Sequence, residues 1–403
     1  MKRIEEIVQK EGIDCDFRKV NGYLFAYLEE EEKDLDLEAE AYRTLGIPGE
    51  IVKIDARISP YKALKVPDQA NFNVQKYLKG LTDVLLKNRV RIFEKTRIVD
   101  VHKDDGPEAL TAEGHKIRAK WIIIATHYPI HKGFNFYFLK MIPKFSYSVL
   151  TPPVNLEIED ANYISAGDAP SLALRFVLGE GGKMLNISGA SHEAKVFVPY
   201  EKQLQILKNY GETHFGISEY PYEWCTQDYG CTDDVPLIGK ADEGIFIMAA
   251  YNKWGMAASA AGALLIKDLV VNKYSKYAHL FRPERVKWNG KLLSYNLGMV
   301  ATLLKTRNVP KRSVLKLEPG TGKVTKLGGK RIGIYKDEES RLHLVDATCP
   351  HLRCGLRFNP IEKTYDCKCH GSRFNYEGKL LDGPALRDLY RIEIEEVRKH
   401  LDK

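Results

Sequence analysis

Cys349-Pro350-His351 and Cys367-Lys368-Cys369-His370 place thiols and imidazoles in two short loops, with fifteen residues between His351 and Cys367. Four of the seven cysteines and two of the eleven histidines fall in this window. Cys349 with His351, and Cys367 with His370, offer one thiolate and one imidazole per loop. Two chemistries use such a donor set. A two-iron cluster can take two Cys on one iron and two His on the other. A structural zinc can take all four donors on one ion. The window also contains Cys354, Cys369, Gly371-Ser372 and, further on, Gly383-Pro384-Ala385. A zinc site requires none of these.

On these residues the window resembles a Rieske [2Fe–2S] domain. The resemblance implies that Cys349 and Cys367 hold the buried iron, and that His351 and His370 hold the outer iron nearer the surface. It also implies a disulfide between Cys354 and Cys369 that ties the two loops together. Ser372 would donate a hydrogen bond to cluster sulfur, and Pro384 would sit in the loop that covers the cluster. Two positions depart from the family pattern. Pro350 and Arg353 stand where Thr and Gly are common. Phe374 stands where high-potential members carry Tyr. Fewer hydrogen bonds to sulfur favour the oxidised cluster. The expected potential is in the lower part of the roughly −150 to +300 mV Rieske range.

These loops need a scaffold, and 403 residues suffice for two or three domains with cores of their own. Apolar content of 44% and charged content of 29% are ordinary for a globular chain. A net charge of +7 with scattered basic residues reads as a solvated surface. No basic patch interleaved with aromatics argues for nucleic acid. The N-terminus has no apolar signal core, and no run of about 20 uncharged apolar residues spans a membrane. A cytoplasmic location is the resulting expectation. Cys15, Cys225 and Cys231 read as packing or surface thiols.

Along the chain, residues 2–11, Glu32 to Leu45 and Val74 to Leu86 read as helices, the first two stopped at Gly12 and Gly46. Tyr23 to Leu28, Arg91 to Phe93 and Arg97 to Val101 read as strands. Trp121 to Thr126 reads as a continuous apolar strand of a sheet covered on both faces. A helix is expected at roughly 199–210. Ile245 to Ala249 reads as a strand that turns through Tyr251 to Met256 into a helix from Ala257 to Val271. The N–H groups at such a helix start can face an anion or an electron-rich ring edge. Leu292, Leu293, Leu297, Val300 and Leu304 mark a connecting helix. Short strands follow from Val314, and Glu393 to Lys403 reads as a charged, exposed tail. Gly179 to Lys183 and Pro319 to Lys323 lack full phosphate-loop spacing and read as hairpin turns.

Trp121 to Pro129, Asp234 to Gly239 and Lys253 to Met256 resemble the D-amino-acid-oxidase-like FAD-dependent oxidoreductases, especially members with a C-terminal Rieske domain. The fold this implies is an α/β and α+β flavoprotein-like domain followed by a small all-β Rieske domain. The implied boundaries are 1–287 for the first, 288–311 for a helical linker and 312–403 for the second. By the same resemblance Ile98 lies near the adenine end of FAD, and Ala125 and Thr126 line the cofactor channel. Gly255 and Met256 face the flavin ring. Lys253, with His127 and Arg175, lies near the substrate, where a cation could pair with a carboxylate. No residue is assigned as acid, base or nucleophile.

The family's Gly-x-Gly-x-x-Gly turn, which seats the FAD pyrophosphate, does not occur in the sequence. The chain reads as a fold that begins beyond its first βαβ unit, and FAD is expected to bind poorly or not at all. Two functions follow as expectations. One is a redox enzyme in which a flavin exchanges electrons with a small-molecule substrate and the cluster relays them to a partner. The other is a one-electron carrier with the first domain as a docking body. A remnant of a split gene, exposing apolar sheet edges, is a third.

Overall fold

The computed structural model describes residues 1–131, 136–167, 170–307 and 317–396. The start of strands expected at Val314 and the tail beyond Glu396 lie outside the described residues, as do the last four residues of the expected linker.

The chain forms two compact units that cut across chain order. The first comprises Met1–Glu94, Ser146–Ser191 and Val198–Thr226. The second comprises Lys95–Phe145, His192–Phe197 and Gln227–Lys403. The first unit carries helices Lys2–Glu11, Glu32–Leu45, Val74–Lys87 and Tyr200–Phe215. Gly12 and Gly46 end the first two in the left-handed conformation that glycine tolerates. Asn73 caps the third by accepting the Lys76 N–H. Its apolar stripe is only partly used: Tyr77 is buried, while Leu78, Leu85 and Leu86 face solvent.

The eight-stranded sheet is built largely in the first unit. Its central strands are Gly182–Glu193, Leu172–Gly179, Asn162–Ser165, Arg18–Phe25 and Lys62–Asn71. Strands Met141–Pro153 and Tyr222–Cys231 belong to it and run on into the second unit. The Gly179 to Gly182 segment is the expected hairpin turn. Gly320, by contrast, closes a tight turn ahead of the Gly322–Leu327 strand, and its N–H donates to the Lys336 carbonyl.

The second unit holds four small sheets. One is antiparallel, from Ile98–Lys103, Pro107–Thr111 and Lys116–Arg118. Arg91 to Phe93, expected as a strand, is irregular and exposed. A second sheet pairs Ile122–Ile124 parallel to Ile245–Ala249, with Leu237–Asp242 antiparallel on the other side. The strand expected over Trp121 to Thr126 is therefore shorter. It lies at the edge of its sheet, with Ile123 half exposed rather than covered on both faces.

The last two sheets make the small β domain. Gly322–Leu327, Lys330–Lys336 and Leu342–Asp346 form one. Leu356–Asn359, Thr364–Cys367, Arg373–Asn375 and Leu380–Asp382 form the other. Tyr335, Phe358, Tyr365, Phe374, Ala385 and Leu389 fill its core around the cysteines. Helix Gly290–Arg307 completes that core with Tyr295 and Met299, and Leu303 packs against it. The expected stripe is split by this packing. Leu292 is buried, but Leu293, Leu297, Val300 and Leu304 face solvent. The core residues lie three and four apart along the other face. Among the described residues no helix is long and apolar enough to cross a membrane.

Candidate metal centre

The two cysteine–histidine loops are the same turn, built twice. In the first, the Cys349 N–H donates to the Cys354 carbonyl, and the Arg353 N–H to the Cys349 carbonyl. In the second, the Cys367 N–H donates to the Ser372 carbonyl, and the Gly371 N–H to the Cys367 carbonyl. The fourth residue after each leading cysteine is left-handed, Arg353 at φ 61° and Gly371 at φ 82°. Glycine tolerates that conformation freely and arginine does not. Its carbonyl is held by the Arg331 guanidinium.

These turns bring the four expected donors together. Cys354 and Cys369 are joined in a disulfide with Cα atoms 6.6 Å apart, so the loops are tied as the resemblance implies. The Cys354, Cys367 and Cys369 sulfurs lie within 4.8 Å of one another. Two of them are consumed by the disulfide, so that trio is no set of free thiolates. Cys349 and Cys367 remain as buried free thiols. The Cys367 thiol donates to Cys349 and lowers its pKa against the cost of burial. The N–H groups of His351 and Leu352 and the Ser372 hydroxyl act in the same direction. The hydrogen bond to Cys349, with burial, drives Cys367 up, while the N–H groups of His370 and Cys369 point at its sulfur. Donors aimed at sulfur favour the thiolate. Ser372 donates to the sulfur of Cys349 and accepts the Ala385 N–H at 2.9 Å. Pro384 is buried beside Ala385, after a cis Gly383–Pro384 peptide.

The His351 and His370 rings meet edge to face, 5.0 Å apart. Burial pushes their pKa values down to about 4 and about 3. Both imidazoles are therefore neutral at neutral pH, the form that ligates metal. The Nδ1 of His370 is buried and makes no hydrogen bond among the described residues. An orphaned buried nitrogen beside free thiols is what a metal would satisfy. The residues fit a [2Fe–2S] cluster. Both imidazoles are less exposed than expected, His370 buried and His351 half-buried. Phe138 packs edge-on to both, at 6.2 and 5.8 Å.

The expected flavin residues lie in the second unit. Ile124 pairs with Ile247, so Ala125 and Thr126, which follow one parallel strand, run on beside Met248 and Ala249, which end the other. Ligands bind at the carboxyl ends of parallel strands. Gly255 and Met256 open the helix Gly255–Val271 after that turn. Ile98 packs against the core that contains Ile124 and Ile247. Lys253 is exposed, left-handed at φ 72°, and its backbone N–H donates to Asp228. Arg175 lies on the Leu172–Gly179 strand of the first unit.

Several partners escaped the sequence. His127 lies between two carboxylates, Nδ1 2.9 Å from Asp382 and Nε2 3.1 Å from Asp228. Burial opposes its charge, but the two carboxylates outweigh burial and raise its pKa to about 9. A raised histidine pKa stabilises fully below its ordinary value of 6.5, and this contribution drains as pH rises through about 9. The side chain is 36% exposed, so solvent screening applies. The expected loss is about 1–2 kcal/mol. Urea unfolding of wild type and His127→Gln at pH 6 and pH 10 checks this. The stability gap between the two should narrow at pH 10, and a constant gap refutes the assignment.

The chain belongs to the FAD dependent oxidoreductase family, whose model matches residues 1–269, and it carries a Rieske [2Fe-2S] domain over residues 308–394. Among its relatives is a Rieske 2Fe-2S iron-sulfur protein of Bacillus subtilis (strain 168), YhfW. It is 34% identical over 97% of this chain and 78% of that protein. The cytochrome b6-f complex iron-sulfur subunit 3 of a Nostoc species is 32% identical over 22% of this chain and 51% of that subunit. Glycine oxidase from Geobacillus kaustophilus shares the fold at a TM-score of 0.58 and 17% identity, covering 71% of this chain and 80% of that one. The Rieske domain implies a [2Fe–2S] cluster, and together the two domains make the chain an iron–sulfur oxidoreductase.

Proposed function

We propose that Cys349 and Cys367 hold one iron, that His351 and His370 hold the other, and that the cluster is coupled to the flavin-type oxidoreductase domain. Bound there, a [2Fe–2S] cluster supplies one-electron transfer. The chain's own residues prepare the site. Two sulfurs are surrounded by N–H and O–H donors, two imidazoles are kept neutral, and a disulfide fixes the loops. Phe138 and the Pro384 loop limit water. The observation that carries this reading is the doubled turn, which brings two free thiols and two neutral imidazoles to one place.

A second reading is a one-electron carrier whose first domain only docks and binds no FAD. The cluster site alone supports it, since its thiols and imidazoles need no FAD. One experiment addresses both. The chain is reconstituted anaerobically with iron and sulfide, supplied with FAD, gel-filtered, and assayed for iron, sulfide and flavin. The cluster reading expects equal iron and sulfide and an electron paramagnetic resonance signal after reduction. Coupling further expects retained flavin. Iron and sulfide without flavin favours the carrier. Tightly held zinc in place of iron refutes both.

A further inference from the structure

We propose that Gln227 and Tyr229, in the part of the chain that matches the oxidoreductase family, are positioning residues for the Rieske cluster. This rests on the ligand assignment above. The two residues alternate along the Tyr222–Cys231 strand and so share a face. Both are buried. Gln227 donates through Nε2 to the Gly371 carbonyl at 2.7 Å and to the Tyr229 hydroxyl at 3.3 Å. The Tyr229 hydroxyl lies 3.0 Å from the His370 carbonyl and 2.8 Å from that of Gly383.

A phenol has one proton to share between those carbonyls. It thereby ties the second ligand loop to the loop that covers the cluster. That covering loop is joined to the first ligand loop through Ala385, Ser372 and the Cys349 sulfur. All three segments around the four donors are thus linked through the Tyr229 and Ser372 hydroxyls. The fit is close. A Cβ on Gly371 would sit 2.6 Å from the Tyr229 hydroxyl and 2.7 Å from Gln227 Nε2. The Tyr229 ring is itself held by edge contacts to His127 and Tyr128, at 4.8 and 5.4 Å.

These donors come from outside the Rieske sheets. The carbonyls of a ligand residue and its neighbour are satisfied by a strand more than a hundred residues earlier. Such outer partners typically change metal retention by roughly 10–100-fold.

The test uses the full chain with its cluster reconstituted, comparing wild type, Tyr229→Phe, Gln227→Met and, as a control, Tyr147→Phe. Tyr147 is also fully buried but lies in the first unit. The readouts are the paramagnetic resonance spectrum, the reduction potential and the rate of cluster loss to a chelator. Tyr229→Phe is expected to shift the spectrum, lower the potential and speed cluster loss by roughly 10–100-fold. Gln227→Met should do the same to a smaller extent, and Tyr147→Phe should do neither. Wild-type spectrum, potential and loss rate in Tyr229→Phe overturn the proposal, as do changes no larger than the control's. Should Tyr229→Phe fail to fold, an unchanged Gln227→Met overturns it. A wild-type chain that holds no cluster fails the ligand assignment itself.

Discussion

His370→Ala is expected to abolish the cluster, leaving a reconstituted chain without its visible colour or its paramagnetic signal after reduction. The substitution removes the imidazole whose Nδ1 is buried without a hydrogen bond. It would leave an iron one protein ligand short, at a site where His370 itself and the Cys349 and Cys367 sulfurs are buried. Cys349→Ala should have the same outcome, because it removes one of the two free sulfurs on which the N–H donors converge. Cys354→Ala should behave differently. Cys354 is spent in the disulfide, so its loss should loosen the loops and speed cluster loss while the signal survives. If Cys354→Ala abolished the signal and Cys349→Ala did not, the ligands would instead be drawn from the Cys354, Cys367 and Cys369 sulfurs. Iron and sulfide analysis beside the spectra separates a missing cluster from an unfolded chain, which circular dichroism would report.

The reason the candidate donors are legible is local. Each donor pair sits within a single turn, so the spacing of Cys349 to His351 and of Cys367 to His370 carries the chemistry. The disulfide pairing followed from the resemblance for the same reason. What could not be read was everything that depends on distant pairing. Tyr229 meets the His370 carbonyl across a separation of 141 residues, and no spacing rule records that meeting. The Asp228–His127–Asp382 arrangement is equally silent: the resemblance singles out His127, but no spacing pairs it with Asp228 or Asp382. The connecting helix was read in place but not in orientation. Two apolar stripes run along it, and only packing against Tyr335 and Phe358 selects Tyr295 and Met299 over Leu297 and Val300. The Ile122–Ile124 strand shows the limit of composition. Its apolar run predicts burial, yet at a sheet edge one isoleucine stays half exposed.

Lys368→Met is expected to lower the reduction potential by about 60 mV, a tenfold change in a one-electron equilibrium. Lys368 stands between Cys367 and Cys369 and is fully buried. Its ammonium lies 4.9 Å over the Phe145 ring, in cation–π contact. Its charge is felt locally, since with burial it helps push the pKa of His192 down to about 4. Reduction adds one negative charge to the cluster, and a buried cation nearby stabilises that charge more than water would. This opposes the influence of Phe374, whose missing hydroxyl favours the oxidised form. The potential is then the balance of a sulfur short of one donor and a loop that carries a buried cation. Methionine keeps much of the volume and removes the charge, so stability should change little while the potential falls. Lys368→Arg, which keeps the charge, should leave the potential closer to wild type. A potential unchanged in Lys368→Met at pH 7 would mean that the buried amine is already neutral there, and that Phe374 alone sets the direction.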